Sequence, residues 1–280
     1  MRKSLFFFLF TFFVFSFSVF ADQQLEIHFI DVGEGNSIFI ETPGGEVVLI
    51  DAGNLISGFK LSKYLKKNKV EKIDHLIFTH PHLDHIGGSF FVTQEFQIEN
   101  TYDSGEDLLN LAKEQDVYRW YADLVREDSR YRVLTAGDGL LTGEVSFKVL
   151  WPRDLSLGSD FNINSLVIMI KYKDFRCLLM ADATIEAERE LLKRGEVLGA
   201  DILKVGHHGF RDASSEQFLG AVSADVAIIS VNKDNLRGYP SLEVLERLKK
   251  EKAVIYRTDK SGTIVIEVNS KGEFLVKEEF

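Results

Sequence analysis

Beyond residue 21 the chain breaks into short apolar runs separated by polar turns. The runs at 25–33 (LEIHFIDVG), 36–53 and 74–82 (DHLIFTHPH) are rich in Ile, Val and Phe, and read as strands. The TPGG of residues 42–45 is a hairpin turn inside the second run. Residues 57–69 have helical spacing and a lysine-rich outer face, which reads as solvated helix surface. Residues 106–127 predict a helix, with Leu109, Ala112, Trp120 and Leu124 in rough helical register. Further strands are expected at 131–135, 145–150, 165–171 and 175–180. Ser241, after Pro240, is a good N-cap for a helix over 241–250, and 254–268 reads as strand, tight turn, strand. Blocks of strands with interspersed helices predict two sheets covered by helices, not a strict βαβ alternation.

Composition adds boundaries. The 280 residues hold four prolines and no Ser/Gly-rich tract or short repeat, so no linker divides residues 22–280, and 45% hydrophobic content is ample for a core. Residues 1–21 differ: Arg2 and Lys3 precede an apolar stretch from Leu5 to Phe20, with Val19 and Ala21 placed like the small residues before a cleavage site. This reads as a secretory signal peptide, so the protein is expected to be exported, to the periplasm or the cell exterior. Membrane attachment is expected only if the leader stays uncleaved.

Losing Arg2 and Lys3 takes the formal charge from −10 to −12, which gives no global field for coating nucleic acid. The one cysteine, Cys177 in FRCLLM, allows no internal disulfide and reads as a small buried hydrophobe.

Chemistry collects at strand ends. VVLI ends in Asp51, HLIF runs into THPHLDH (79–85), CLLM leads through Ala181 to Asp182, and DILKV leads to His207 and His208. Parallel strands would bring these tips to one edge. Five of the seven histidines lie in the two strand-tip clusters, and His28 and His75 read as hydrogen-bonded structural residues. His80 and His82 are two apart and point the same way on an extended segment, so they can grip one ion. Asp84 and His85 can grip a second, Asp182 is the candidate bridging carboxylate, and His207 supplies a further imidazole.

THPHLDHIGG resembles the HxHxDH signature of the metallo-β-lactamase superfamily, and LIDAG and LLMAD resemble its two Asp motifs. FIDVGEGNSIFI, NINSLV, DILKVGHHGF, AIISVN and YRTDKSGTI together resemble the hydrolase domain of ComEC-type competence proteins. The resemblance implies an α/β fold, a four-layer αββα sandwich, with two divalent ions at the sheet edge, zinc or manganese. It implies His80 and His82 on one ion, Asp84, His85 and His207 on the other, Asp182 bridging, and Asp51 orienting the ligands. It also implies a secreted phosphodiesterase or nuclease, with Asp84 taking a proton and a phosphodiester such as DNA as substrate. Asn164, His208, Arg211 and Arg257 are candidate substrate contacts. Lys204 is either a phosphate-holding cation or an outward solvated lysine.

The chain departs from the pattern at several points. Asn162 and Asn164 stand where many superfamily members have a histidine, and Asn36 and Tyr239 replace an Asp and a His usual in the ComEC-type pattern. Phe210 stands where Ser is common. Hydrolysis of a lactam, lactone or thioester would use the same residues, and the replacements leave room for a non-catalytic binding module with a vestigial site.

Overall fold

The computed structural model describes residues 24–108, 116–128, 130–155 and 160–280. The expected leader, and Leu109 and Ala112 of the expected helix, lie outside the described residues.

The strands are β1 (Leu25–Phe29), β2 (Ile38–Glu41), β3 (Val47–Ile50), β4 (Lys72–Ile73), β5 (His75–Ile77), β6 (Gln97–Ile98), β7 (Thr101–Asp103), β8 (Tyr131–Val133), β9 (Gly139–Thr142), β10 (Val145–Trp151), β11 (Val167–Tyr172), β12 (Phe175–Leu179), β13 (Ile202–Lys204), β14 (Val226–Ile229), β15 (Val254–Arg257), β16 (Thr263–Val268) and β17 (Phe274–Glu279). They form one sheet in the order β17-β16-β1-β2-β3-β5-β7-β8, a second in the order β15-β14-β13-β12-β11-β10-β9, and a small β4-β6 pair. The hairpin between β2 and β3 closes as the TPGG signal predicts. Thr42 accepts a bond from Glu46 N at 3.1 Å, and Gly45 takes a positive φ of 79°.

The two large sheets pack face to face. Leu25, Ile27, Ile38, Ile50, Phe147, Ile168, Cys177 and Ile202 share the apolar layer between them. The helix Gly58–Lys67 covers the outer face of the first sheet through Leu61 and Leu65. The helices Ile185–Lys193, Glu216–Val222 and Leu242–Lys250 cover the second through Leu191, Phe218, Val244 and Leu248. The layers are therefore helix, sheet, sheet, helix. Ser241 caps its helix, accepting from Val244 N at 3.4 Å.

One segment departs from the sequence expectation. Among the described residues of the expected 106–127 helix, 106–108 have no regular secondary structure, a short helix spans Asp116–Tyr121, and a π-helical turn follows over Ala122–Arg126. Buried Asp103 at the end of β7 accounts for the turn. It accepts from Tyr121 Oη at 3.1 Å and from Arg126 Nε at 2.8 Å, and residues five apart face one way when the backbone bond runs from 127 N to 122 O.

The topology positions the site. β3, β5, β7 and β8 run parallel in the first sheet. β12, β13, β14 and β15 run parallel in the second. Their C-terminal ends deliver Asp51, the 79–85 segment, Asp182 and the 207–208 pair to one rim of the sandwich.

Candidate metal centre

The rim is held by an unusual backbone. Asp51, Ala181, His207 and His208 all adopt left-handed conformations, with φ of 59°, 47°, 45° and 53°. Non-glycine residues rarely do so, each at a cost of roughly 1–2 kcal/mol, and such outliers gather at functional sites. Two glycines let the loops close. A Cβ on Gly88 would meet Ala52 O at 2.0 Å, and one on Gly35 would meet Asp84 O at 1.9 Å. A Cβ on Gly87 would likewise meet Leu83 O at 2.5 Å, so both glycines after the histidine cluster answer to close backbone approach.

Asp51 is wholly buried and organises the imidazoles from behind. Its Oδ1 accepts from Thr79 N at 2.8 Å. Its Oδ2 accepts from His85 Nδ1 at 2.7 Å, Thr79 Oγ1 at 2.9 Å and Asn36 Nδ2 at 3.0 Å. Asn36 therefore acts as a donor to a carboxylate, and a carboxylate at its position would face Asp51 with like charge.

With Nδ1 occupied, His85 turns Nε2 toward Asp182 Oδ2 at 3.4 Å. His80 Nε2 lies 3.9 Å from the same oxygen and 3.0 Å from His82 Nδ1. His208 donates from Nδ1 to Ser230 O at 2.9 Å, leaving Nε2 at 3.5 Å from Asp182 Oδ2 and 3.6 Å from Asp84 Oδ2. Two sets of candidate ligand atoms result, each gathered within 4.8 Å: His80, His85 and Asp182, and Asp84, His85 and His208.

The fit to a metal rests on atoms left without partners. His85 Nε2, His208 Nε2 and Asp182 Oδ1 are buried and make no hydrogen bond within the protein. Leaving a buried polar atom unpaired costs about 1–3 kcal/mol. Two of the three are imidazole nitrogens, oriented by bonds at their other nitrogen and lying 3.4 and 3.5 Å from the Asp182 carboxylate, which is the donor chemistry of a divalent-cation site.

Residues 30–231 match the family described as the Metallo-beta-lactamase superfamily. The chain belongs to the metallo-beta-lactamase superfamily. It is 29% identical to ComE operon protein 3 of Bacillus subtilis, over 85% of this chain and 32% of that protein. It is 27% identical to Recombination protein 2 of Haemophilus influenzae, over 91% of this chain and 30% of that one. Competence protein ComA of Neisseria gonorrhoeae is 26% identical over 84% of this chain and 31% of its own length. The chain thus spans about a third of the curated relatives it matches. Among solved structures, the metallo-beta-lactamase fold protein YhfI from Bacillus subtilis superposes with a TM-score of 0.55 at 13% identity, covering 87% of this chain and 99% of YhfI. Zinc-bound PqqB from Methylobacterium extorquens gives 0.52 at 12%, covering 82% and 97%. These likenesses establish the αββα fold.

In this metallo-beta-lactamase fold, the placement of the sequence candidates differs from expectation at the histidine doublet. The imidazole beside Asp84 and His85 is that of His208. His207 lies outside both ligand sets, donating from Nδ1 to Asp212 at 2.9 Å with Nε2 3.4 Å from Asn162 Nδ2. His82 and Asp84 face a cavity of about 450 Å³, whose wall His207, His208 and Asp182 share.

Three candidate substrate contacts lie away from that wall. Asn164 donates to Glu106 at 2.6 Å, Arg211 is exposed with its guanidinium over Phe210, and Arg257 makes two bonds to Asp259 at 2.9 and 2.6 Å. Lys204 is neither solvated nor in the cavity wall. It is buried at the inner face of β13 and donates to Val205 O at 3.2 Å, and burial pushes its pKa down to about 8. His28 and His75 bond to Tyr64 Oη at 2.8 Å and Tyr102 Oη at 3.2 Å, remote from the rim.

The cavity also shows side chains that the sequence reading did not single out: Glu34, Asn54, Tyr118 and Arg237. They sit on loops and on the short helix before the π turn, where no periodicity marks them. The NLRGYP stretch carried the one available signal, because Tyr239 there already broke the expected pattern.

Electrostatics among the rim's own side chains set their protonation. Burial drives the His80 imidazole far below its usual range, with His85 adding repulsion. Burial acts against charge on His85 and His208 as well, but neighbouring carboxylates outweigh it. His85 is held well above its ordinary value by Asp182 and Asp51, and His208 is raised to about 9 by Asp182 and Asp84. Asp182 and Asp84 respond in kind. Although burial disfavours their charge, His208 and His85 keep both carboxyls well below the usual range.

Proposed function

We propose that this metallo-beta-lactamase superfamily hydrolase, related to competence proteins, cleaves phosphodiester bonds with two divalent cations, zinc or manganese, at this rim. The observation that carries the reading is that the buried, unpaired His85 Nε2 and His208 Nε2 both approach Asp182, at 3.4 and 3.5 Å, and that Asp182 and His208 line a solvent-open cavity. His80 and His82 would hold one ion, and Asp84, His85 and His208 the other, with Asp182 between them. Cations held there supply Lewis acidity toward a phosphoryl oxygen and lower the pKa of water toward neutrality.

The chain's own residues do the positioning. Asp51 fixes the His85 ring, and the Ser230 carbonyl fixes that of His208. Asp84, ionised at the cavity wall, is the group placed to receive a proton. Two observations favour a phosphodiester over a carbonyl substrate. The cavity carries a guanidinium, and the relatives' names, Recombination protein 2 and Competence protein ComA, tie them to recombination and competence.

The test is a hydrolysis panel on the metal-supplemented protein. A bis-aryl phosphodiester and a labelled oligonucleotide are set against a chromogenic lactam and a lactone. Phosphodiester turnover that disappears in Asp182→Ala and His82→Ala, with circular dichroism unchanged, is the expected result. Turnover of the carbonyl substrates alone overturns the reading.

A further inference from the structure

Among the described residues, Arg237 is the only lysine or arginine that lines the cavity. It sits on the loop between β14 and the helix Leu242–Lys250, and that loop is tied down from within. The Asn235 side chain donates to Asn232 O at 2.9 Å and Tyr239 O at 3.0 Å, and accepts from Tyr239 N at 2.9 Å. The Asn232 side chain accepts from Asp234 N at 3.2 Å, and Gly238 takes a φ of 74° that lets the chain turn beside Arg237. The guanidinium is thus presented by a braced loop. There it interacts with the Tyr239 hydroxyl and pairs with Glu34, at 3.3 Å, on the facing 30–37 loop. Both side chains are about half exposed, so the pair is weak and exchangeable.

The cavity's charges give this pair a meaning. Asp84 and Asp182 are the other carboxylates of the wall, and the cations they hold would neutralise them. Glu34 belongs to neither ligand set. The cations would therefore leave it unneutralised beside the guanidinium. A guanidinium fork matches two phosphoryl oxygens, and once a ligand has taken the fork the released Glu34 carboxylate opposes a second negative charge on that ligand.

We infer that Arg237 is the side chain that grips the phosphoryl oxygens of the substrate, and that Glu34 beside it selects monoanionic phosphodiesters over dianionic phosphomonoesters. The inference rests on the phosphodiester reading for its substrate class and adds the residues that recognise that class. Substrate takes the guanidinium from Glu34 as it enters, and the braced loop keeps the fork in place.

Binding and turnover are measured separately, so the two readings fail separately. By calorimetry on metal-loaded protein, a phosphorothioate-linked thymidine dinucleotide binds Arg237→Ala about tenfold more weakly than wild type, with Arg237→Lys between them. In turnover, Arg237→Ala raises KM for bis(p-nitrophenyl) phosphate by a similar factor and moves kcat less. Glu34→Gln narrows the preference for that diester over p-nitrophenyl phosphate. Equal dinucleotide affinity in wild type and Arg237→Ala overturns the clamp, as does a wild-type protein that does not bind the dinucleotide. An unchanged diester-to-monoester ratio in Glu34→Gln overturns the selection. Arg237-dependent dinucleotide binding with no wild-type turnover would keep the clamp and reject the hydrolytic reading.

Discussion

His85 and Asp182 face each other at 3.4 Å with both side chains essentially out of solvent, and His85 is gripped from its far side by Asp51 at 2.7 Å. One imidazole thus stands between two buried carboxylates, one inside the ligand set and one behind it. Asp51 fixes which nitrogen is free. Removing such an orienting group typically weakens metal binding about 10–100-fold. Asp51→Asn is therefore expected to lose affinity in that range while leaving every proposed ligand in place. Competition against a chromophoric chelator measures it, and unchanged affinity would show that Asp51 only fills space.

The histidine doublet gives a sharper contrast. His208→Ala removes an imidazole that meets both Asp84 and Asp182, so it should reduce the metal content and abolish hydrolysis. His207→Ala removes a ring bonded to Asp212 and should retain the full metal content. Elemental analysis of both variants decides between the neighbours, and the reverse pattern would return His207 to the ligand set.

Protonation links the site to pH. In the metal-free protein His208 has a pKa of about 9, against an ordinary value of 6.5. A raised histidine pKa means that its stabilisation is fully present below 6.5 and lost as pH rises through about 9. Buried Lys204, pushed down to about 8, acts in the opposite sense between that value and its ordinary 10.5. Comparing wild type with His208→Gln isolates the histidine. Urea unfolding in chelator is expected to show a stability gap that closes between pH 6.5 and 9. Metal must displace the same proton, so calorimetry in buffers of different ionisation heat should show His208→Gln releasing about one proton fewer on binding.

Much of this was legible in the chain. Strand tips ending in Asp51, the 79–85 segment, Asp182 and GHHG announced the rim, and parallel pairing of β3 with β5 and of β12 with β13 brings them together. Ser241 announced its helix. The assignment within the doublet was not legible. Adjacent residues point apart, and which of them points inward depends on the left-handed turn at 207–208, a tertiary feature. The π turn after Tyr121 was hidden for a related reason, because it is set by Asp103 from another strand. Arg237 enters the cavity from a loop braced by Asn235, and no hydrophobic period marks such a position.

Metal binding should also be visible as stability. A ligand at about 100 times its Kd adds roughly 2.7 kcal/mol to the folded state. For a chain of this size that corresponds to a rise in Tm of several degrees. Scanning calorimetry with excess zinc or manganese against excess chelator is expected to show this shift in wild type and a smaller one in Asp182→Ala. Equal shifts in the two would place the binding elsewhere on the protein.

The most direct test of the centre itself is metal stoichiometry and hydrolysis measured on a single gently prepared sample. Wild type is expected to hold roughly two divalent ions per chain and to cleave a phosphodiester, with both properties lost on chelation and regained on adding zinc or manganese. Fewer than about one ion per chain, with no added metal restoring cleavage, would contradict a metal-dependent hydrolase at this rim.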